Sequence, residues 1–583
     1  MLKLNKVVTK SGTFLLAGIC MTLALQKVMV PKWVYPLDYE EHTSRAEEFC
    51  KLSSKPIQAV FMGTSHVLYG VIPMEIYEES GIATYNLAKS WDHVDDTYYF
   101  LKSSLEKENQ IKEVLLDVST LFFPPYYEPT WRYTLDNMPL GKTKMEAAEQ
   151  YKTYFGGAEE KNYIGALFPL YKYHTRWNQL NKVDFGVREH AYAARGYVLN
   201  TFVLSNTVTE EKMNQLADQR AGLNGIYTTE YREGKGRTVK KWMQGYDPNP
   251  NEDALKWLKK MKELCDEHGV ELRLFKVPTI NDSRTYGSAW TKLRSEAIKK
   301  VAKDMNIPFY DLLYDAGLKM DIENDFLDGG GHCNFSGALK TSRCLGEYLK
   351  KECGLKPEPS EVYEKDLSGY RKIRQMGILQ TEIDFREYCE KLKENWKKDS
   401  MIAITVNKGI DGFSKEDMEC LAELGTKTDL FENHKDNSYM VLFDEGERKY
   451  EAVSEMDLHM EYDARTQKLH DNIIPESMAE EPNEKGQVAE TNPLTINMDS
   501  SGGNVLVNTP PNASIRFNGT EYCVNQPGIN IVVYEKSTGK IVDSVNFHKE
   551  TKEEKLKAFR GDITSLTKDY EYYIYDSLAG VQK

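Results

Sequence analysis

The chain has 583 residues, of which 40% are hydrophobic and 11% aromatic, so it is long enough for two or three globular domains. Its net charge is −14 and its Lys and Arg residues are scattered, which argues against a nucleic-acid-binding surface. Its nine cysteines are odd in number and form no Cys-x-x-Cys pair, so they indicate neither a zinc site nor a disulfide framework.

The N-terminus has the pattern of a signal anchor. Three lysines within residues 1–10 precede an apolar run over residues 13–25, and a second apolar stretch follows at 28–30. Counted through residue 30, the segment is nearly long enough to span a bilayer, with Lys27 able to reach the interface. We predict a membrane helix over residues 1–30 and an extracytoplasmic location for the bulk of the chain. The alternative is a buried N-terminal helix of a soluble protein.

Strand and helix patterns alternate along residues 31–355, after a connector over 31–54. The predicted strands cover 57–62, 84–87, 111–118, 270–277 and 308–313, and the predicted helices cover 95–106, 254–268, 293–305 and 335–351. This alternation predicts a mainly parallel sheet covered by helices on both faces. Ligands of such sheets bind beyond the carboxyl ends of the strands.

Two polar motifs fall at positions where this rule places a site. Gly63-Thr64-Ser65-His66 follows the first strand directly, and Asp328 and His332 precede the last helix. A serine on a glycine-led turn exposes its hydroxyl, while a late Asp and His can supply its base and the group that orients the base. The alternative role for Ser65 is that of a helix-capping serine.

On these motifs, residues 55–355 resemble the SGNH/GDSL hydrolase superfamily. The Gly-Thr-Ser-His form is similar to the membrane-anchored cell-envelope branch, which includes the teichoic acid D-alanine transfer and alginate O-acetylation proteins. The resemblance implies a three-layer α/β/α fold with Ser65 as nucleophile, His332 as base and Asp328 as the orienting acid. Asp328 and His332 are four residues apart rather than three, so Asp325 is an alternative orienting acid.

The oxyanion donors depart from the family's pattern. The family's second-block glycine falls near Trp91, and its third-block asparagine falls near Ser119 or Thr120, where neither residue type is kept. The remaining candidates are the Ser65 backbone N–H and the side chains of Asn86, Ser90 and Ser119. Because losing one oxyanion donor costs about 10²–10³ in rate, a slow esterase or a transferase fits better than a fast esterase.

Residues 119–250 are rich in aromatic side chains. A structureless loop of this length is improbable, so we predict a helical insertion that caps the sheet. His174, Arg176 and Trp177 offer an imidazole, a cation and a flat ring, which suit a sugar polymer, and His66 can line the pocket beside Ser65. An aromatic core helix with an ion pair is the alternative for the 174–177 segment.

A charged helical connector over 356–400 leads to a smaller α+β domain over 401–583. Its predicted helix over 414–424 starts at the N-cap Ser414, with Asp417 at the matching position and Gly425 at its end. A loose polar loop is predicted over about 461–492. The remaining predicted strands cover 401–406, 439–443, 513–518, 519–522, 528–534 and 538–545.

This region resembles the interleukin-like EMT inducer, or GG, domain over 512–522, 528–547 and, less closely, 401–443. Its helix-containing half comes first, the reverse of the order in the animal proteins. The resemblance implies a glycan-binding or interaction module, and no catalytic set is present in the sequence of this region.

These patterns lead to one expected function and two alternatives. We expect a membrane-anchored extracytoplasmic serine acyl esterase or O-acyltransferase that acts on a cell-envelope polysaccharide, without metal or cofactor. The resemblance implies a membrane-bound O-acyltransferase as partner. The first alternative is a non-catalytic glycan- or protein-binding surface protein on a degenerate SGNH scaffold, and the second is a soluble intracellular hydrolase.

Overall fold

The computed structural model of the chain describes residues 2–30, 45, 46, 48, 49, 52, 57–106, 110–155, 160–180, 195–201, 203, 249–279, 287–321, 324–327, 330–407, 410, 412–474, 504–508, 514–518, 520–524, 527–549 and 556–560. The chain divides into two compact units. The first comprises Met1–Leu199 and Gln215–Tyr370, and the second comprises Asn200–Asn214 and Arg371–Lys583.

The first unit begins with a long helix and continues as an alternation of strands and helices. Its described elements, in chain order, are α1 Leu2–Met29, β1 Ala59–Met62, α2 Ser65–Gly70, α3 Pro73–Ser80, β2 Thr84–Asn86, α4 Val94–Leu105, β3 Glu113–Asp117, α5 Glu128–Asn137, α6 Lys142–Phe155, α7 Glu160–Leu167, α8 Pro169–Tyr173, α9 Glu252–Glu267, β4 Glu271–Lys276, α10 Gly287–Asp304, β5 Phe309–Asp311, α11 Phe335–Lys351 and α12 Glu361–Thr381. Two short 3-10 helices, Val118–Phe122 and Arg176–Asn178, lie within the insertion.

The five strands form one parallel sheet in the order β2-β1-β3-β4-β5, which confirms the predicted mixed α/β architecture. β1 is buried along its whole length, as its apolar sequence requires of a strand covered on both faces. The chain runs from β1 outward to β2 and then back to β3 on the other side. The carboxyl ends of β1 and β3 therefore border the crevice where sheets of this order bind ligands.

The helices cover the sheet with apolar side chains. One core joins Val60, Met62, Val114 and Leu116 of the sheet to buried residues of α4, α9 and α10. α3 and α2 both pack against α11. α11 starts at its N-cap Asn334, whose side chain accepts a hydrogen bond from the Gly337 backbone N–H at 3.2 Å. These contacts fix the loops at the sheet's carboxyl edge.

The N-terminal helix α1 contains one segment, Ser11–Met29, that is long and apolar enough to cross a membrane or to act as a signal anchor. Most of its side chains from residue 11 to residue 24 are exposed, while Met29 and Val30 at its end are buried.

The second unit is built mainly from antiparallel strands. Its described elements, in chain order, are α13 Phe385–Lys391, β6 Ser400–Asn407, α14 Lys415–Leu424, α15 Leu430–Asn433, β7 Ser438–Asp444, β8 Glu447–Ser454, β9 Asp457–Asp463, β10 Lys468–Ile474, β11 Asn504–Asn508, β12 Ser514–Phe517, β13 Thr520–Glu521, β14 Gly528–Glu535, β15 Lys540–Lys549 and β16 Leu556–Arg560. The strands form a six-stranded sheet, β16-β15-β14-β6-β7-β8, and a five-stranded sheet, β10-β9-β11-β12-β13. Met401, Met440, Met460 and Phe517 belong to a core that the two sheets share.

Two predicted boundaries need correction. The loose loop predicted from residue 461 is wrong up to residue 474, because β9 and β10 pair there as an antiparallel hairpin; residues 475–492 lie outside the described residues. The connector predicted over 356–400 is helical, but it is not a separate element. Its α12 spans the division between the two units at residues 370 and 371. Most of the predicted insertion after residue 180 also lies outside the described residues.

Candidate active site

Ser65 stands at the carboxyl end of β1, as the first residue of α2. Gly63 allows this turn, because a Cβ at that position would lie 2.7 Å from Asp117 Cβ and from Val67 Cγ2. Thr64 is the N-cap of α2. The close approach of β1 and β3 thus requires a glycine two residues before Ser65, and the tight turn leaves the serine half-buried with access to solvent.

His332 lies within hydrogen-bond distance of Ser65, with 2.7 Å between Ser65 Oγ and His332 Nε2. The loop that carries His332 is closed by a bridge between Phe326 and Cys333, and the Leu327 backbone N–H donates to the His332 carbonyl at 3.1 Å. With its proton on Nδ1, the imidazole accepts from the serine hydroxyl. This is the geometry in which a general base activates a serine nucleophile.

Of the two acids predicted to orient His332, the structure describes only Asp325. Asp328 lies outside the described residues. The alternative, Asp325, is fully buried and accepts from Ser336 Oγ at 2.8 Å and from Lys340 Nζ at 2.6 Å. These partners belong to α11, so Asp325 ties the loop to that helix.

His66 forms a second polar chain beside the pair. Its ring stacks on His332 with 4.6 Å between centroids, and its Nδ1 lies 2.9 Å from Thr64 Oγ1. Thr64 Oγ1 is 2.8 Å from Ser119 Oγ, and the Ser119 hydroxyl donates to Asp117. An ionised Asp117 can only accept, so the chain then runs from the His66 N–H through Thr64 and Ser119 to the carboxylate. This series of hydrogen bonds fixes the plane of the His66 ring, on which the His332 ring stacks.

The sequence analysis missed Asp117. It is the last residue of β3, and its carboxylate also accepts from the backbone N–H groups of Ser119 and Val277, at 2.9 and 3.1 Å. Burial raises the pKa of Asp117, while these hydrogen bonds act in the opposite direction. A charged residue that closes an apolar strand at the β1/β3 edge was the signal that would have found it.

The oxyanion candidates have different surroundings. Both hydrogens of the Asn86 amide are directed to backbone carbonyls, those of Val67 at 2.8 Å and Val71 at 2.9 Å. The Ser119 hydroxyl donates to Asp117. Neither side chain therefore has a hydrogen left for a substrate oxygen, and both assignments are corrected.

Ser90 and the Ser65 backbone remain as candidate donors. Ser90 Oγ is buried with no hydrogen-bond partner among the described residues. Its neighbour Lys89 donates its backbone N–H to the Gly63 carbonyl at 2.9 Å, which keeps this loop beside the serine turn. The Ser65 N–H lies in the first turn of α2, where helix N–H groups have no intrahelical partner.

The candidates in the insertion do not all suit a substrate. Arg176 is buried, and its Nη1 donates to the Met29 carbonyl at the end of α1 at 2.6 Å, so it is not available to a ligand. The exposed His174 has its Nδ1 2.6 Å from the Tyr171 carbonyl oxygen, and Trp177 is exposed. In the structure this segment therefore contacts the end of the N-terminal helix α1, through Arg176.

A group of aromatic rings surrounds Trp91, in the loop that follows β2. Trp91 is 53% exposed, and its ring centroid lies 6.3 Å from that of Phe123 and 6.5 Å from that of Tyr127. His93 stacks on Tyr127 at 5.6 Å. Trp91 has a φ of 57°, a conformation that favours glycine. The backbone at this position therefore has a left-handed conformation that a glycine would adopt more readily.

A buried ionic cluster supports this loop from below. Lys89 pairs with Asp92 at 3.0 Å and with Asp96, and Asp95 accepts from Trp131 Nε1 at 2.8 Å. Burial raises the pKa of Asp92 to about 8, because desolvation outweighs the attraction of the Lys89 ammonium group. Burial and the nearby Asp96 raise the pKa of Asp95 to about 7 against the lowering effect of the Trp131 hydrogen bond. Within the described residues, no group of three or more His, Cys, Asp or Glu side chains is arranged to hold a metal ion.

Comparisons with known proteins add little to this geometry. No family model and no curated protein matches the chain. Seven chains of solved structures match it. One, described as a provisionally assigned platelet activating factor from Streptococcus pneumonia, is 12% identical; the match covers 53% of this chain and 93% of that one, with a TM-score of 0.23. A likeness this weak identifies neither a family nor an activity.

Proposed function

We propose that the chain is a membrane-anchored, extracytoplasmic serine acyl esterase or O-acyltransferase that modifies a cell-envelope polysaccharide. The observation that carries the proposal is the 2.7 Å contact between Ser65 Oγ and His332 Nε2, made across 267 residues of chain. It lies at the β1/β3 edge of the parallel sheet, and its two groups are half-buried rather than sealed. Both features suit a reacting pair.

The chemistry divides into two steps. Ser65 Oγ attacks the acyl carbonyl while His332 Nε2 takes the serine proton, and the proton then passes to the departing alcohol as the acyl–serine ester forms. In the second step His332 takes a proton from water or from an acceptor hydroxyl, which attacks the ester and frees the serine. Water gives an esterase, and a sugar hydroxyl gives a transferase. Asp328 is proposed to hold the His332 tautomer.

The negative charge that develops on the carbonyl oxygen needs donors. We assign the Ser65 backbone N–H and the Ser90 hydroxyl to this role, since the Asn86 amide and the Ser119 hydroxyl are already engaged. A set with two donors at most supports slow turnover, because each lost donor costs about 10²–10³ in rate. The same observation favours the alternative of a non-catalytic binding protein on a degenerate SGNH scaffold.

The SGNH assignment itself, with its three-layer α/β/α architecture, is part of the proposal. The serine and histidine motifs support it, and Trp91, near which the family's glycine would fall, has a positive φ. The exposed ring of Trp91, in the loop whose Lys89 N–H donates to the Gly63 carbonyl, supports a carbohydrate substrate, because flat aromatic faces suit sugar rings. The proposed partner is a membrane-bound O-acyltransferase that delivers the acyl group.

The second unit is proposed to hold the polymer or a neighbouring envelope protein. Its resemblance to the interleukin-like EMT inducer domain is the support for this role. The anchor is proposed to be α1, with the Lys-rich end in the cytoplasm, on the basis of its length and apolar character.

A serine-reactive fluorophosphonate probe tests the catalytic proposal. We expect the folded full-length chain to be labelled, and Ser65→Ala to abolish the labelling. Ser454→Ala in the second unit is the matched control and should label like the parent. Absence of labelling in the folded parent would favour the non-catalytic alternative.

A further inference from the structure

The end of the N-terminal helix is held by the helical insertion. Arg176 is buried and donates to the Met29 carbonyl at 2.6 Å, and α8 packs against α1. A guanidinium at a helix C-terminus satisfies an orphan carbonyl and opposes the negative end of the helix dipole. Met29 and Val30 are buried by this contact region. The folded unit therefore starts at the last turn of α1, with α8 and the 3-10 helix beside it.

The free length of α1 is short for a bilayer. Its exposed stretch over residues 11–24 measures about 21 Å at the rise of an α-helix. A hydrocarbon core is about 30 Å thick, and the whole Ser11–Met29 segment is needed to approach that thickness. A membrane that receives α1 must therefore reach the surface of the insertion around Met29.

That surface is unusually apolar. Ten large hydrophobic side chains are exposed in the described residues outside α1, and seven of them lie on the insertion. We set aside Tyr126, near the start of the insertion, and call the other six the apolar face: Leu140, Met145, Ile164, Phe168, Tyr171 and Trp177.

The members of the apolar face are connected. Leu140, Met145 and Phe168 line one open groove of about 730 Å³, together with Tyr163 and Leu167. Helix α7, which carries Ile164, packs against both α6 and α8. Trp177 is 62% exposed, one residue after the arginine that holds α1. Tyr171 lies on α8, which packs against α1, so part of the apolar face lies beside the end of that helix.

The charged groups beside the apolar face are paired. Glu146 and Glu149 line the groove. Glu146 pairs with Lys102 at 2.5 Å, and Glu149 pairs with Lys152 at 3.6 Å. Paired carboxylates oppose contact with lipid less than free ones would. Tyrosine and tryptophan, which combine an apolar ring with a polar tip, are the side chains enriched at the boundary between membrane and water.

We propose that the apolar face rests in the outer boundary of the same bilayer that α1 crosses. Contact between the insertion and the lipid then fixes the height and tilt of the first unit relative to the bilayer. The occupant is a lipid surface rather than a second copy of the chain, because part of the face lies on α8 and beside Arg176, which contact the end of the helix that enters the bilayer. This inference rests on the membrane anchoring in the proposed function and not on its acyl chemistry.

Quenching by brominated lipid tests the proposal on the full-length chain in nanodiscs. Bromine atoms in the upper acyl chain quench only nearby tryptophans, so Trp177→Phe should lower the quenched part of the emission. Trp91→Phe is the matched control, because it removes another exposed tryptophan outside the apolar face. We expect it to leave the lipid-quenched part of the emission unchanged. Iodide in the aqueous phase should quench the Trp177 contribution poorly.

An unchanged lipid-quenched part in Trp177→Phe would overturn the proposal. Shielding of Trp177 from iodide without quenching by lipid would also overturn it and would indicate a protein partner such as a second copy. Carbonate extraction of native membranes tests the anchor itself. Release of the chain by carbonate would show that α1 does not cross the bilayer, and it would overturn this proposal too. Labelling of Ser65 by the fluorophosphonate probe reports separately on the acyl chemistry.

Discussion

At the carboxyl edge of the parallel sheet, Ser65, His66 and His332 are half-buried and reach solvent, whereas Asp444 and Asp543 of the second unit are buried among paired groups. Asp543 accepts from Tyr388 Oη at 3.0 Å and pairs with Arg560 at 3.3 Å. Each of its carboxylate oxygens is engaged inside the protein. Polar side chains therefore serve different purposes in the two units.

The difference follows from sheet geometry. Parallel strands all end at one edge, so polar residues that follow β1 and β3 converge there and face a crevice. Antiparallel strands end alternately at both edges, and buried polar groups within them must be paired locally. Asp444 illustrates this, because it accepts from Tyr462 Oη and Lys536 Nζ, both at 2.9 Å. The following substitutions test whether catalysis depends on the carboxyl edge of the parallel sheet, and whether the buried pairs of the second unit affect stability alone.

The largest effect is expected from His332→Asn. Asparagine cannot take the serine proton, so the rate of acyl transfer should fall by about 10²–10⁴, the usual contribution of a general base. Hydrolysis of an activated aryl acetate measures the rate. His459→Asn in the second unit is the control and should leave the rate unchanged. A His332→Asn variant with the parent's rate would contradict the assignment of the base.

The next effect concerns the second unit alone. Asp543→Asn leaves the guanidinium of Arg560 buried without its charged partner, which should lower the free energy of unfolding of this unit by about 3 kcal/mol. Arg516→Ala breaks the exposed pair with Glu521 and should cost less than 1 kcal/mol. Urea denaturation compares the two variants. Reduced acyl transfer per folded molecule in Asp543→Asn would show that the two units are not independent in function.

Strong local patterns were enough to predict most of the elements. β1 was recognised from an unbroken apolar run, and the capping box of α14 was recognised from the spacing of Ser414 and Asp417. The hairpin of β9 and β10 was missed because its many polar residues hide an alternation in which Leu458, Met460 and Tyr462 are buried. Polar composition outweighed a period-two pattern that was present.

The site was predictable only in part. The sequence positions of Ser65 and His332 at the ends of strands suggested that they meet, because parallel strands share an edge. The engagement of Asn86 with Val67 and Val71, and of Arg176 with Met29, depends on contacts between elements far apart in the chain. Residue type and spacing do not specify such contacts. Asp328 remains a prediction.

A smaller effect should separate the ionic cluster under the Trp91 loop from ordinary surface acids. The folded-state pKa of Asp92, about 8, lies above the ordinary value of 3.8 for this carboxyl, so the folded chain binds this proton more tightly than the unfolded chain does. Stability from this group is therefore present at low pH and is lost as the pH rises from about 4 to about 8. Asp95, with a pKa of about 7, acts in the same direction.

Asp92→Asn should flatten this dependence, so that its stability relative to the parent rises by up to about 1.4 kcal/mol per pH unit between pH 5 and pH 8. Thermal unfolding across that range measures the slope. Asp304→Asn, at an exposed position, should follow the parent's curve. A slope that Asp92→Asn leaves unchanged would show that the carboxyl is ionised throughout.

The smallest effects come from two N-cap residues, one in each unit. Ser414 caps α14, where its hydroxyl accepts from the Asp417 backbone N–H at 3.2 Å and also from Arg386 Nη2 at 3.2 Å. Ser414→Ala should cost about 1 kcal/mol of stability without changing the rate. Thr64 caps α2 and also contacts His66 and Ser119. Thr64→Val should lower the rate about tenfold, equivalent to about 1.4 kcal/mol, because the His66 ring loses its hydrogen bond with the Thr64 hydroxyl. Thr64→Ser keeps the hydroxyl and should restore the rate. Equal rates in the valine and serine variants would reduce Thr64 to a capping residue like Ser414.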